Sequence, residues 1–193
     1  LSPSPVSAAR TGSRRVRTLA RVAVGALGAV LVWVIAGLPV FVFPVEEKPA
    51  KADVVLVIGP VDPWRMRMAD QLLDADVSDN LLVSAPTEGI PKIPECVDDG
   101  REDTAVHCEQ PAPFTTRGEA RYLAREMEEN GWSTAIVITA TPHIARTRML
   151  MDRCVPDGVS VMGDEPGYDL TDWGFEYVYQ TAAFAKAAVL QGC

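Results

Sequence analysis

A chain of 193 residues with only two histidines makes the placing of each one informative. His143 stands in "ITATPHIARTRML", directly after a Thr-Pro pair and shortly before Arg146. With Thr141 as N-cap and Pro142 as the first helical residue, His143 falls in the first turn and Arg146 about one turn later on the same face. Cations at that end oppose the helix macrodipole, so the helix gains nothing from them. Free first-turn amides, an imidazole and a guanidinium together suit an anion such as phosphate or carboxylate. An imidazole that titrates near neutrality is also a natural general acid or base. The plain alternative is an exposed histidine with no role.

A second polar cluster is "TTRGEA" at 115–120. Thr116 and Glu119 fit the S/T-x-x-E capping box, in which the hydroxyl caps the third amide and the carboxylate reaches back to the cap. That reading explains both residues without function, although a capped helix start can still face a ligand. Ser84 ends the run "NLLVSA", Thr139 sits in "TAIVITA", and Gly59 ends "DVVLVIG" with Arg65 close behind. There is no GxGxxG, no P-loop and no nucleophile elbow, so a covalent role for Ser84 has little support.

These residues need a scaffold that brings them to one place. "DVVLVIG" (53–59), "NLLVSA" (80–85), "TAIVITA" (134–140) and "VSVMG" (159–163) are short, apolar and β-branched, the pattern of strands buried on both faces. Helical periodicity occupies 64–75, 116–130, 142–153 and part of 171–190. Alternating strands and helices imply a three-layer α/β/α sandwich with a mainly parallel, Rossmann-like sheet and right-handed crossovers. Ligands of such sheets bind beyond the carboxyl ends of the strands, where Gly59, Ser84 and the Thr139–His143 segment converge. Residues 86–114, rich in proline and acidic side chains, read as a long irregular stretch that is functional or cross-linked.

Ahead of the domain, "VAVGALGAVLVWVIAGLPVFVF" (22–43) contains no ionisable residue and is long enough to cross a bilayer. A buried core helix would show a polar face, and a cleaved signal has a shorter apolar core. The expected organisation is a disordered basic tail (1–18), a transmembrane helix (19–43), a linker (44–52) and a domain (53–193). Seven basic residues against two acidic ones give residues 1–52 a net charge of +5, whereas the whole chain carries −8, leaving −13 on the remainder. The positive-inside rule then places the N-terminal side in the cytoplasm and the domain outside, at the plasma membrane. So acidic a domain is a poor binder of nucleic acid.

Cys96, Cys108, Cys154 and Cys193 all follow the apolar run. Export permits disulfides, and four cysteines allow three connectivities. Cys96 with Cys108 and Cys154 with Cys193 is the favoured pairing. A metal site built on Cys96, His107 and Cys108 lacks the CxxC spacing that zinc prefers, and no metal or cofactor is expected.

The order "ADVVLVIG", R-x-x-x-A-x-x-L at Arg65, Ala69 and Leu72, "LLVS" ending at Ser84, "TTRGEA", then "VIT" and "PHIAR" resembles the bacterial YdcF/SanA/ElyC-like family. The resemblance covers most of 53–163. It departs where Pro60 follows Gly59 in place of a glycine-richer turn, and where "TTRGEA" replaces an Asn-Thr-x-Glu-Asn-like sequence. It implies an envelope-integrity protein with an N-terminal anchor, and a shared site built from Gly59, Arg65, Ser84, Thr116, Glu119, Thr139, His143 and Arg146. The expected function is binding, with possible turnover, of a small anionic or phosphate-bearing envelope metabolite. Arg65 and Arg146 would hold the anion, and His143 and Glu119 would move protons. The alternatives are a non-enzymatic envelope scaffold or sensor and, more weakly, a nucleotide- or S-adenosylmethionine-binding domain. Protein partners are left open.

Overall fold

The computed structural model describes residues 8–47, 51–97, 103–155, 157–164 and 167–193. It divides into two units, 1–38 and 39–193.

The first unit is helix α1 (Ala8–Gly37). The segment Arg14–Val42 is long and apolar enough to cross a membrane, with a mean hydropathy of 2.3. The helix begins inside the stretch expected as an irregular tail, whose residues 1–7 lie outside the described ones. The physical reason is cooperativity: once the apolar helix exists, Ala8, Ala9 and the following arginines extend it at little cost.

The second unit opens with a π-type turn, Leu38–Val42, and continues as an α/β domain. Its strands are β1 (Val54–Val57), β2 (Asn80–Ser84), β3 (Ala105–Glu109), β4 (Ala135–Ala140) and β5 (Val159–Asp164). They form one all-parallel sheet in the order β3-β2-β1-β4-β5. The helices are α2 (Pro63–Asp74), α3 (Thr116–Asn130), α4 (Ile144–Cys154) and α5 (Leu170–Val189).

Alternation along β1 shows why the sheet is covered on both sides. Val54, Leu56 and Ile58 pack with Leu123 and Met127 of α3 and with Ile144 and Met151 of the α4 side. Val55 and Val57 point the other way, toward Met66, Ala69 and Leu73 of α2. Successive side chains of a strand face opposite layers, so a strand between two helical layers must be apolar throughout. At the amino edge, the Asp53 carboxylate accepts from the amides and hydroxyls of Ser133 and Thr134 and fixes β1 beside the start of β4.

β3 corrects the reading of 86–114 as wholly irregular. It is an edge strand with polar His107 and Glu109 and a partly exposed face, so it lacks the continuous apolar run of the inner strands. Cys108 on β3 is bonded to Cys96, which ties the preceding 3-10 turns, Ile90–Lys92 and Pro94–Cys96, to the sheet edge. The sulfurs that a metal site would have used are thus joined to each other. Cys154 at the end of α4 is bonded to Cys193.

Candidate functional site

The strand order reverses between β1 and β4, because the chain builds β2 and β3 on one side of β1 before crossing to β4 and β5 on the other. Carboxyl-end loops diverge at such a point and leave a crevice. Here the crevice is a cleft of about 480 Å³, with Glu119, His143, Arg146, Phe114, Tyr179 and Lys186 among its lining residues.

Glu119 lies on the first turns of α3, but the N-cap is Thr115, whose hydroxyl accepts from the Gly118 amide. The expected capping box on Thr116 and Glu119 does not form: the cap lies one residue earlier, its third helical residue Gly118 has no side chain to reach back, and the Glu119 carboxylate is left for other partners. Its Oε1 accepts from the Gly59 amide at 2.7 Å and from the Ser84 hydroxyl at 2.8 Å. One carboxylate oxygen thus joins the carboxyl ends of β1 and β2 to α3. Burial pushes the Glu119 carboxyl above its usual range, against those two hydrogen bonds and the nearby Arg146 and Arg65 charges. A side chain at Gly59 would put its Cβ 2.8 Å from the end of the Phe114 ring and 3.1 Å from the Ser84 carbonyl, so it would displace the Phe114 ring that lines the cleft.

Arg146 and His143 lie on one face, as their spacing predicts, but the helix start differs. Thr141–His143 forms a 3-10 turn, His143 is the N-cap residue of α4, and the Thr141 hydroxyl donates to the Asp164 carbonyl at 2.5 Å. Arg146 donates from Nε to Gln180 Oε1 at 3.1 Å and from Nη1 to Thr116 Oγ1 at 3.1 Å. Its Nη2 lies 3.1 Å from His143 Nδ1. A guanidinium can only donate, so Nδ1 accepts and the ring proton sits on Nε2. That nitrogen lies 3.4 Å from Glu176 Oε2, which also accepts from Gln180 Nε2 at 2.9 Å. Burial holds the His143 ring below its usual pKa despite Glu176, and the Arg146 charge pushes the same way. The hydrogen bond from His143 lowers the Glu176 carboxyl in turn, against its burial.

Both nitrogens of His143 are thereby engaged. The arrangement makes His143 a positioning residue for Arg146, and proton transfer at Nδ1 would require that bond to open. Among the described residues Arg146 forms no ion pair, and Nη1 and Nη2 each keep a second N–H. Burial depresses the Arg146 pKa, the sign of a charge short of compensation.

The remaining expected site residues fall elsewhere. Ser84 and Thr139 are fully buried in the sheet, and Ser84 reaches the cleft only through Glu119. Arg65 is buried on α2, and its Nη1 donates to the carbonyls of Ile58 and Pro60. Its Nε lies 3.2 Å from Asp62 and 3.7 Å from Asp164. With those partners Arg65 braces the carboxyl ends of β1 and β5, and it is absent from the lining of the cleft.

Sequence reasoning missed Glu176, Gln180 and Asp164. Glu176 and Gln180 are one turn apart on α5, a helix far along the chain from the other site residues. Asp164 ends β5, so the carboxyl-end rule applied to the other strands would have found it. Its carboxyl is pushed up to about 6 by burial, with Arg65 opposing and Asp62 reinforcing. Neither of its oxygens receives a hydrogen bond among the described residues. Protein-family models, curated proteins and solved structures were all compared with this chain, and none matches.

Proposed function

We propose that the chain is a membrane-anchored envelope protein of the YdcF/SanA/ElyC-like kind. Its N-terminal side lies in the cytoplasm, and its domain outside binds a small anionic or phosphate-bearing envelope metabolite in the cleft. The observation that carries this reading is Arg146, a half-buried cation in the cleft wall with three neutral partners, spare donors and no ion pair among the described residues. A planar guanidinium held by three bonds is pre-oriented for two oxygens of one anion. Lys186 and Arg117 add positive charge to the same cleft, and its apolar walls include Phe114, Leu150 and Leu190. A ligand with a charged head and an apolar body, such as a lipid-linked precursor, matches that lining. Glu119, raised by burial, is placed to donate a proton to it.

The test is titration of the detergent-solubilised full chain with inorganic pyrophosphate. Arg146→Gln is expected to weaken binding at least tenfold, about the 1.5–3 kcal/mol of a charge-assisted hydrogen bond, with unchanged circular dichroism. Equal affinity in the two proteins would refute the site.

A second reading, a sensor or scaffold that binds without turnover, is favoured by the occupancy of both His143 nitrogens. Glu119→Gln, which keeps an acceptor for Gly59 and Ser84 but cannot give up a proton, separates the two once its pyrophosphate binding is shown to equal the parent's, and one such variant is tested at each of Glu119 and His143. Turnover requires that they fail to restore a strain lacking the protein, whereas full restoration by folded variants leaves binding alone.

A further inference from the structure

Helix α5 buries one face and leaves another uncovered. Tyr177, Gln180 and Ala187 point into the domain. On the opposite side Phe175, Val178, Ala182, Ala185 and Val189 are exposed, with Phe175, Val178 and Val189 at 67%, 62% and 79%. Their spacing of three and four residues keeps them within an arc of roughly 80° at 100° per residue. No charged residue falls in that arc; the charges of α5 are Asp172, Glu176 and Lys186. An ordered, charge-free apolar stripe of this kind marks a contact surface.

We propose that this stripe lies on the lipid–water boundary of the membrane that holds the chain's own apolar segment. Two observations select lipid as the occupant. The first is Phe41, which belongs to the apolar run and is itself buried against α5, its ring in edge contact with Tyr177 at 5.3 Å between centroids. Val178 is the next residue along, so the stripe passes within a turn of the residue on which the end of the apolar run packs. The second is composition: Tyr168, Trp173, Phe175 and Tyr179 cluster at this end of α5, and tyrosine and tryptophan collect at bilayer boundaries. The stripe lacks the basic rim of a freely binding amphipathic helix. A tethered domain does not need one, because its tether already supplies a high effective concentration of membrane.

A consequence follows for the cleft, and this step alone rests on the ligand reading above. Tyr179, Lys186 and Leu190, which line the cleft, each follow a stripe position or its neighbour on α5. With the stripe on lipid, the cleft opens at the bilayer surface, and a membrane-borne amphiphile reaches Arg146 without crossing bulk water.

The experiment uses the full chain in vesicles of phosphatidylethanolamine and phosphatidylglycerol. A nitroxide is placed by Val178→Cys, Ala182→Cys, Ala185→Cys or Val189→Cys, with Glu128→Cys on the exposed side of α3 as the reference and both disulfides verified. Collision with oxygen relative to a water-soluble nickel complex is expected to be several-fold higher at the stripe positions than at 128. Vesicles of phosphatidylcholine alone should give the same ratios, since no charge takes part. Water-like ratios at all stripe positions would overturn the proposal. So would spin–spin broadening between labels, which would assign the stripe to a second copy of the chain. Failure of the unlabelled chain to float with vesicles would instead strike at the membrane anchor, and flotation is measured separately for that reason.

Discussion

Asp164 shows how the fold can bury a carboxylate at a cost in stability that depends on pH. It is buried at the end of β5 with only the cation of Arg65, 3.7 Å away, to offset its charge. Its carboxyl titrates near 6 in the folded protein against 3.8 for an unperturbed group, so the folded state holds the proton more tightly than the unfolded chain. Stability from this group is complete below about pH 4 and is lost as the pH rises through 6, by on the order of 2–3 kcal/mol. Asp53 and Glu176, both lowered, act in the opposite sense, which makes a comparison between variants the informative measurement. Asp164→Asn should therefore hold its thermal midpoint better than the parent between pH 4 and 7. Parallel pH profiles for the two proteins would mean that Asp164 is compensated in solution. Glu119 shares the raised direction, but its two hydrogen bonds to Gly59 and Ser84 give it a structural task as well, and that combination is absent at Asp164.

The start of α3 shows how elements decide what a local motif means. Gly118 lies so close to the preceding segment that a Cβ would stand 1.8 Å from the Pro113 carbonyl oxygen. Backbone is involved on both sides, so neither can yield cheaply, and Gly118→Ala should cost about 3 kcal/mol or more. Gly174 in α5 has nothing within 4 Å of its would-be Cβ. There the same substitution should stabilise by about 0.5–1 kcal/mol through helix propensity, and denaturant titration of the pair checks both signs. The packing at Gly118 also bears on why the helix is capped by Thr115 alone, with no capping box. S/T-x-x-E was visible at Thr116 and Glu119, whereas the choice of Thr115 as cap depends on how Pro113 and Phe114 approach the sheet. The inner strands were legible because burial on both faces demands continuous apolar runs. β3 was not, because an edge strand carries polar residues such as His107 and Glu109. The shared face of His143 and Arg146 is legible from local spacing and Glu119 enters with the resemblance, while Glu176 and Gln180 come from a distant helix that no local pattern connects to them.

At the scale of the whole molecule, charge, hydropathy and cysteine usage make one linked claim about topology. Five arginines precede the apolar run and Lys48 and Lys51 follow it, giving residues 1–52 a net +5 against −13 for the rest. Arginines are held back by the cytoplasmic side and acidic domains are not, so the positive segment should stay inside and the α/β domain should cross. The four cysteines lie in that domain and are paired as Cys96–Cys108 and Cys154–Cys193, a state that persists outside the reducing cytosol. The second pair closes a separation of 39 residues and pins the end of the chain after α5, beside the Arg121 bond to the Cys193 carbonyl. In the chain-entropy account such a link contributes about 4 kcal/mol. Intact cells making the full chain should therefore show no cysteine modified by a membrane-permeant maleimide until a reductant is added, and all four modified after reduction and unfolding. An impermeant maleimide, applied after an impermeant reductant, should reach the same cysteines without lysis. Labelling that needs no reductant, or that appears with the impermeant pair only after lysis, would place the domain inside. It would remove the export argument and the envelope-metabolite reading together, because the cleft would then face the cytosol.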